Sequence, residues 1–245
     1  MLLAIDIGNT NISVGIFKNR QLKKHFDIPT KVYSRFKLRM KLGVSPQISA
    51  TAICSVVPKL TEILRHDLET LTGKKPQIIG KDLSVPIKNH YSRPEQLGQD
   101  RLVNAYAACN LYPAPLIVID SGTAVTFDVV GKNQAYLGGF IIPGIKISLE
   151  ALREKTALLP LVKLDKPKIL IGRDTKNSIL SGVVLGIAGA SSELISRIKQ
   201  YIGKDATVIG TGGNICLIKK YSGLNLKIDK ELTLKGINLI YEDRI

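Results

Sequence analysis

One pattern occurs twice in this chain, and it constrains the fold more than any other feature. Residues 2–17 read LLAIDIGNTNISVGIF and residues 116–130 read LIVIDSGTAVTFDVV. Each is a short apolar run ending in an aspartate, then a glycine-containing polar turn, then a second alternating strand. In the first copy Leu2, Leu3, Ala4 and Ile5 suit a buried strand, and Asp6 interrupts them with a charge that is costly to bury unpaired. Asp6 is therefore expected at the strand's end. Gly8 permits close backbone approach, and Asn9, Thr10, Asn11 and Ser13 supply amide and hydroxyl groups that, with main-chain N–H groups, can bind phosphate oxygens. Asp6 would then hold a Mg²⁺ ion, through water where needed, since Mg²⁺ favours oxygen ligands and retains hydration. The alternative is a plain β-hairpin in which Asp6 caps its own turn.

The second copy, with Asp120, Ser121, Gly122 and Thr123 in the same order, points to internal duplication: two α/β halves, each presenting an acidic hairpin to a shared nucleotide cleft. This arrangement resembles the actin/Hsp70/sugar-kinase superfamily, a two-lobed actin-like ATPase (ribonuclease H-like) fold whose two hairpins hold the phosphates of ATP. The segment Tyr112-Pro113-Ala114-Pro115 is the best boundary, giving domains 1–114 and 115–245.

Composition narrows the class. A length of 245 residues and a mean hydropathy of +0.12 suit two modest globular domains. The amino-terminal apolar run lacks a basic leader and contains Asp6, so no signal peptide is expected, and no uncharged span is read as crossing a membrane. Cys54, Cys109 and Cys216 are scattered and outside any C-x-x-C, as are His25, His66 and His90, which argues for reduced thiols, a cytoplasmic location and no zinc site. The net charge of +15 attracts polyanions. Nucleic acid is the sharp reading and a solvated basic surface the plain one; with 5% aromatics and no zinc-finger or RNP pattern, the plain reading is preferred. There is nonetheless a local excess of lysine and arginine between Lys18 and Lys41.

Along the chain, a strand near Lys24–Ile28 and a helix near Ser34–Leu42 precede a buried strand at Gln47–Val57. Apolar spacing over Leu60–Leu71, stopped by Gly73, predicts a helix, with a short strand at Pro76–Ile79. Gly98 precedes Gln99, Asp100 and Arg101 at the head of an apolar helix, which places Asp100 in its first turn. There it is either a charge that favours the helix dipole or a general base with Arg101 beside it as an anion ligand. In YLGGFIIPGI (136–145) two glycine turns flank a stretch expected to be buried. GRDT (172–175) opens a helix with Thr175 as the expected N-cap, and Ile179–Ile198 is rich in small residues suited to close packing against a neighbour or a second subunit. ATVIGTGGNI (206–215) is a strand that runs into glycines able to approach an adenosine, and Gly236–Tyr241 is a final amphipathic element.

Taken in order, DIGNTN (6–11), GQDR (98–101), DSGTA (120–124), GG-x3-PG (138–144), TALLP (156–160), IGRDT (171–175) and TGGN (211–214) resemble the type III pantothenate kinases over nearly the whole chain. The resemblance implies ATP-dependent phosphorylation of pantothenate to 4'-phosphopantothenate, the first step of coenzyme A synthesis. It implies nucleotide contacts from Asp6, Ile7, Gly8, Asn9, Thr10, Asn11, Ile12, Ser13 and Thr123. Pantothenate contacts fall to Tyr91, Gly98, Gln99, Asp100 and Arg101, with Asp100 the proton acceptor and a monovalent cation, K⁺ or NH₄⁺, at Asp120. It further implies a homodimer in which Thr175 completes the pantothenate site. Gln99 departs from the small residue expected at that position.

Phosphoryl transfer depends on positioning and charge neutralisation. No G-x4-G-K-[ST] supplies a P-loop lysine, so cations at Asp6 and Asp120 are expected in its place. A different acceptor on the same fold, such as a sugar or acetate, and a non-enzymatic regulator that binds nucleic acid are the competing readings.

Overall fold

In the computed structural model, which describes residues 1–43 and 47–244, each of the two repeated sequences folds as an antiparallel hairpin at the centre of its own five-stranded sheet. The first pairs β1 (Leu2–Ile7) with β2 (Asn11–Lys18), Asp6 opposite Ser13. β3 (Gln21–Pro29) continues the meander on β2. On the other side β4 (Ala50–Ser55) runs parallel to β1 and β5 (Gln77–Ile78) parallel to β4, giving the order β3-β2-β1-β4-β5.

Alternation then decides which side chains meet. Leu3, Ile5 and Ile7 of β1 point to one face, where they pack with Leu38 of α1 (Arg35–Leu42) and with Leu64 and Leu68 of α2 (Pro58–Thr72). Leu2 and Ala4 point to the other, against Val103 and Tyr106 of α3 (Gln99–Leu111) and Ile237 and Ile240 of α7 (Leu232–Asp243). Asp6 has the parity of Leu2 and Ala4, so the strand directs its carboxylate to the α3 face. Gly73 ends α2 in the left-handed conformation, as its sequence position suggests.

The second sheet repeats the first. β6 (Leu116–Ser121) and β7 (Ala124–Val130) form the hairpin, and β8 (Tyr136–Pro143) extends it. β9 (Thr207–Thr211) runs parallel to β6 and β10 (Lys227–Ile228) parallel to β9, in the order β10-β9-β6-β7-β8. Ile117, Ile119, Val125 and Phe127 pack with residues of α4 (Ile145–Glu154), α5 (Thr175–Ile202) and α6 (Ile215–Ser222). The duplication read in the sequence is thus a duplication of topology.

Two expectations about the fold change. Residues 115–245 were expected in one domain, but the chain divides into Met1–Leu111 with Glu231–Ile245, and Tyr112–Lys230. The reason is α7, whose apolar residues complete the α3 face of the first sheet. A side chain at Gly236 would stand 2.7 Å from Val103, so glycine there lets the two helices close up. The stretch expected to be buried between the 138–139 and 143–144 turns is strand β8, and Phe140 and Ile141 lie exposed on it. Helix α5 is long and apolar enough to cross a membrane by length and composition alone, with a mean hydropathy of 1.6 in its most apolar window. One side of that same helix is core: Leu180, Val184, Ile187 and Ile195 are buried among the residues of the second sheet.

Candidate active site

The first hairpin turn is held by its own backbone and by one threonine. Gly8 N–H donates to the Asn11 carbonyl at 2.9 Å, the Thr30 hydroxyl donates to the Gly8 carbonyl at 2.8 Å, and Thr30 N–H donates to the Thr10 carbonyl at 2.9 Å. Nothing in the local motif marks Thr30, which lies at the end of the neighbouring strand β3. Asn9, Thr10 and Asn11 are exposed, as a ligand-binding turn requires. Ile7 and Ile12 are fully buried, so only their backbone groups could face a nucleotide. The Ser13 hydroxyl donates to Asp27 Oδ1 at 2.7 Å, which ties it to β3.

Three side chains collect at the carboxyl end of β1. Cys54 on β4 is in register with Asp6, and its buried thiol is pushed well above its ordinary range, first by burial and then by the negative charges of Asp6 and Asp100. Asp100 enters from the first turn of α3. Burial raises its pKa, against the opposing pull of the Arg101 N–H, which donates to Asp100 Oδ1 at 2.9 Å, and of the Arg101 guanidinium. Asp6, Cys54 and Asp100 therefore share one acidic, partly dehydrated corner of the first unit. A carboxylate that is harder to ionise than usual and sits beside a second carboxylate is suited to taking up a proton. Arg101 is buried beside it.

The loop ahead of α3 is fitted to this carboxylate. A side chain at Gly98 would stand 2.5 Å from Asp100 Oδ1, so the absent Cβ makes room for the carboxylate itself. Gln99 packs its side chain over Gly80, whose φ of +85° already favours glycine; a Cβ there would meet Gln99 Cδ at 2.6 Å. The larger residue at position 99 thus occupies the space above a glycine. Tyr91, half-buried, precedes this loop, its N–H donating to Asn89 Oδ1 at 2.9 Å.

In the second unit the corresponding turn is one residue shorter and closes in the same way, with Gly122 N–H donating to the Ala124 carbonyl at 3.0 Å. Thr123 is exposed at its tip. The Pro143-Gly144 turn lies directly on it: Gly144 N–H donates to the Thr123 carbonyl at 3.2 Å, and a Cβ at Gly144 would collide with that oxygen. Asp120 is the penultimate residue of β6, and Gly212, with φ +86°, leaves room beside it, since a Cβ there would strike Asp120 Oδ1. The Asn214 N–H donates to the Ser121 carbonyl at 3.0 Å and fixes the TGGN turn against the hairpin.

Thr175 is exposed at the first position of α5 and is not its cap. Asp174 is: its Oδ1 accepts from Asn177 N–H at 2.9 Å and its Oδ2 from the Asn177 side chain at 2.6 Å, and these bonds lower its pKa. Thr175 lines an open pocket of about 640 Å³ in the second unit, together with Arg173, Ser178 and Gly182.

Among the described residues no group of three or more His, Cys, Asp or Glu could hold a metal by itself. A carboxylate near the end of β1 and of β6 fits ions that are otherwise held by water, turn oxygens and phosphate.

A model of the type III pantothenate kinases matches residues 2–197. The chain belongs to this family. A type III pantothenate kinase of Finegoldia magna is 40% identical, covering 98% of this chain and 96% of the relative, and one of Agathobacter rectalis is 38% identical with the same coverage. The activator of the 2-hydroxyisocaproyl-CoA dehydratase of Clostridium difficile, solved with ADPNP bound, superposes with a TM-score of 0.54 at 13% identity, covering 99% of this chain and 96% of that one. The fold is therefore the two-unit α/β fold of the actin-like ATPases and sugar kinases, shared at sequence distances where it carries no substrate information.

Proposed function

We propose that Asp100 is the general base of this enzyme and that the two hairpin turns bind the phosphates of its nucleotide. As a type III pantothenate kinase, the chain transfers a phosphoryl group from ATP to pantothenate, an alcohol acceptor, in the first step of coenzyme A synthesis. The observation that carries the assignment of Asp100 is its position: partly buried, at the head of α3, in the corner shared with Asp6 and Cys54. The carboxylate accepts the proton of the primary hydroxyl as that oxygen attacks the γ-phosphorus. Raised basicity favours this transfer, because the conjugate acid forms closer to neutral pH.

Tyr91, Gly98, Gln99 and Arg101 frame the acceptor, Arg101 as the cation for its carboxylate. The exposed turn residues Asn9, Thr10, Asn11 and Thr123, with the N–H groups of both hairpins, receive phosphate oxygens. Asp6 would hold Mg²⁺ and Asp120 a monovalent cation, K⁺ or NH₄⁺, and when bound these ions would offset the negative charge of the transferring group. A homodimer in which the exposed Thr175 serves the partner's substrate is part of the same reading. It is supported by the exposed Gly182, Gly186 and Gly189 along α5, where a Cβ would meet open space.

The test is ADP release from MgATP with a panel of acceptors in KCl, alongside light scattering. Turnover on pantothenate alone by a dimer is expected. Turnover on a sugar or acetate, or full activity in a monomer, would overturn the corresponding part.

A further inference from the structure

Helix α1 has an arrangement that pantothenate phosphorylation does not use. Leu38 is fully buried and Leu42 partly so, and they anchor the helix to the first sheet. At 3.6 residues per turn, positions two before and two after Leu38 fall on the opposite side. Those positions are Phe36 and Met40, 71% and 66% exposed, and Val32, 48% exposed, lies ahead of the helix in the short 3-10 turn Thr30–Val32. On one flank of this apolar ridge stand Arg35 and Arg39, and on the other Lys37 and Lys41, all exposed.

The helix is also held firmly. Lys37 N–H donates to the Ser34 hydroxyl at its start, and Lys24 Nζ donates to the Lys41 carbonyl at 2.6 Å and the Leu42 carbonyl at 3.2 Å at its end. Arg35 lies 3.8 Å from Asp67, whereas no ion pair of Lys31, Lys37 or Arg39 occurs among the described residues. Nine lysines and arginines lie between Lys18 and Lys41 against the single acid Asp27, so this segment carries more than half of the chain's net +15.

We propose that this face of α1 docks on an anionic lipid surface, making the enzyme a peripheral membrane binder. An apolar ridge flanked on both sides by cations is the pattern of helices that lie in the interface, with the ridge entering the acyl boundary and the flanking ammonium and guanidinium groups reaching the headgroup phosphates. Charge alone would serve a nucleic acid equally well, but a duplex gives no reward to an exposed Phe and Met, and the segment offers no second aromatic ridge for stacking single strands. This departs from the reading of the basic surface as merely solvated.

The experiment is co-sedimentation of the full-length protein with vesicles of phosphatidylcholine alone and of phosphatidylcholine with phosphatidylglycerol, at low and high salt. Wild type, the pair Phe36→Ser with Met40→Ser, and the pair Lys37→Gln with Arg39→Gln are compared. Kinase activity and light scattering on the same samples report folding and assembly. Binding only to the anionic vesicles, weakened by salt and reduced about tenfold or more in each pair with kinase activity retained, is the expected result. Absence of binding to anionic vesicles at low salt would overturn the proposal. So would binding that is insensitive to Phe36→Ser with Met40→Ser but competed by duplex DNA, or conversion of a dimer to a monomer by that pair.

Discussion

The carboxylate of Asp100 occupies the space above Gly98, where a Cβ would stand 2.5 Å from its Oδ1. Glycine at 98 and aspartate at 100 are thus one unit of design: the first exists so that the second can take its place. Gly98→Ala must move either the loop or the carboxylate, and a misplaced catalytic group loses about 10²-fold in rate. We expect Gly98→Ala to lower kcat by about that much while the melting temperature changes little. An alanine variant with wild-type kcat would show that the carboxylate need not stay where it is.

Removing the carboxylate has two separable consequences. Asp100→Asn should lower kcat by about 10² to 10⁴, the usual contribution of a general base. Its effect on stability has the opposite sign. Burial raises the folded-state pKa of Asp100 above that of the unfolded chain, so the folded state holds the proton more tightly. Its contribution to stability is therefore full below the unfolded value and is lost as pH rises through the folded one. At neutral pH the ionised, dehydrated carboxylate is a cost, and Asp100→Asn should melt at the wild-type temperature or above, with the difference shrinking in acid. For the same reason the acid limb of wild-type kcat/KM should lie above the range of an ordinary carboxylate. A variant that is less stable than wild type at pH 7, or an acid limb at an unperturbed pKa, would contradict this account.

Asp120 gives a test that involves no change in the first unit. If it holds a monovalent cation, activity should fall steeply when Na⁺ or tetramethylammonium replaces K⁺ at constant ionic strength, and Asp120→Ala should lose both activity and the K⁺ response. Equal rates in the three salts would leave Asp120 as a residue that serves only its own turn.

Gln99 over Gly80 makes a pair whose coupling can be measured. Gly80→Ala places a methyl where Gln99 Cδ now lies and strains a backbone at φ +85°, so kcat should fall through displacement of the α3 start. Gln99→Ala removes the collision but not the strain. The double variant should therefore recover part of the loss, with a coupling energy of about 0.5–3 kcal/mol of the kind found for side chains in contact. Additive effects would mean that the two side chains do not constrain each other.

The repeated hairpins were legible because alternation and a charged strand end leave few other folds, and the structure pairs each as an antiparallel hairpin. Asp100 was placed in a helical first turn for a similarly local reason. The parts that were not legible depend on contacts distant in sequence. Nothing near Cys54 announces that it will feel the charges of two aspartates, and Thr30 acquires its role only because β3 returns beside the first turn. The cap of α5 was misassigned to Thr175 because Asp174 and Thr175 are both capable of capping; the Asn177 backbone and side chain decide for Asp174. Ile7 and Ile12 lie inside the motif, but the pleat turns them into the core.

Helix α7 has a bearing on how the protein is made. The first unit is assembled from two stretches that are far apart in sequence, Met1–Leu111 and Glu231–Ile245, with Tyr106 hydroxyl donating to Asp243 Oδ2 at 2.6 Å and Thr233 hydroxyl donating to Asn104 Oδ1 at 2.8 Å. During synthesis the ribosome must deliver all of Tyr112–Lys230 before the apolar face of α3 receives its cover. The stretch that carries Asp6, Cys54 and Asp100 thus precedes the whole second unit in the chain, while the helix that covers its sheet follows that unit, so the first unit is closed only after the second has been made.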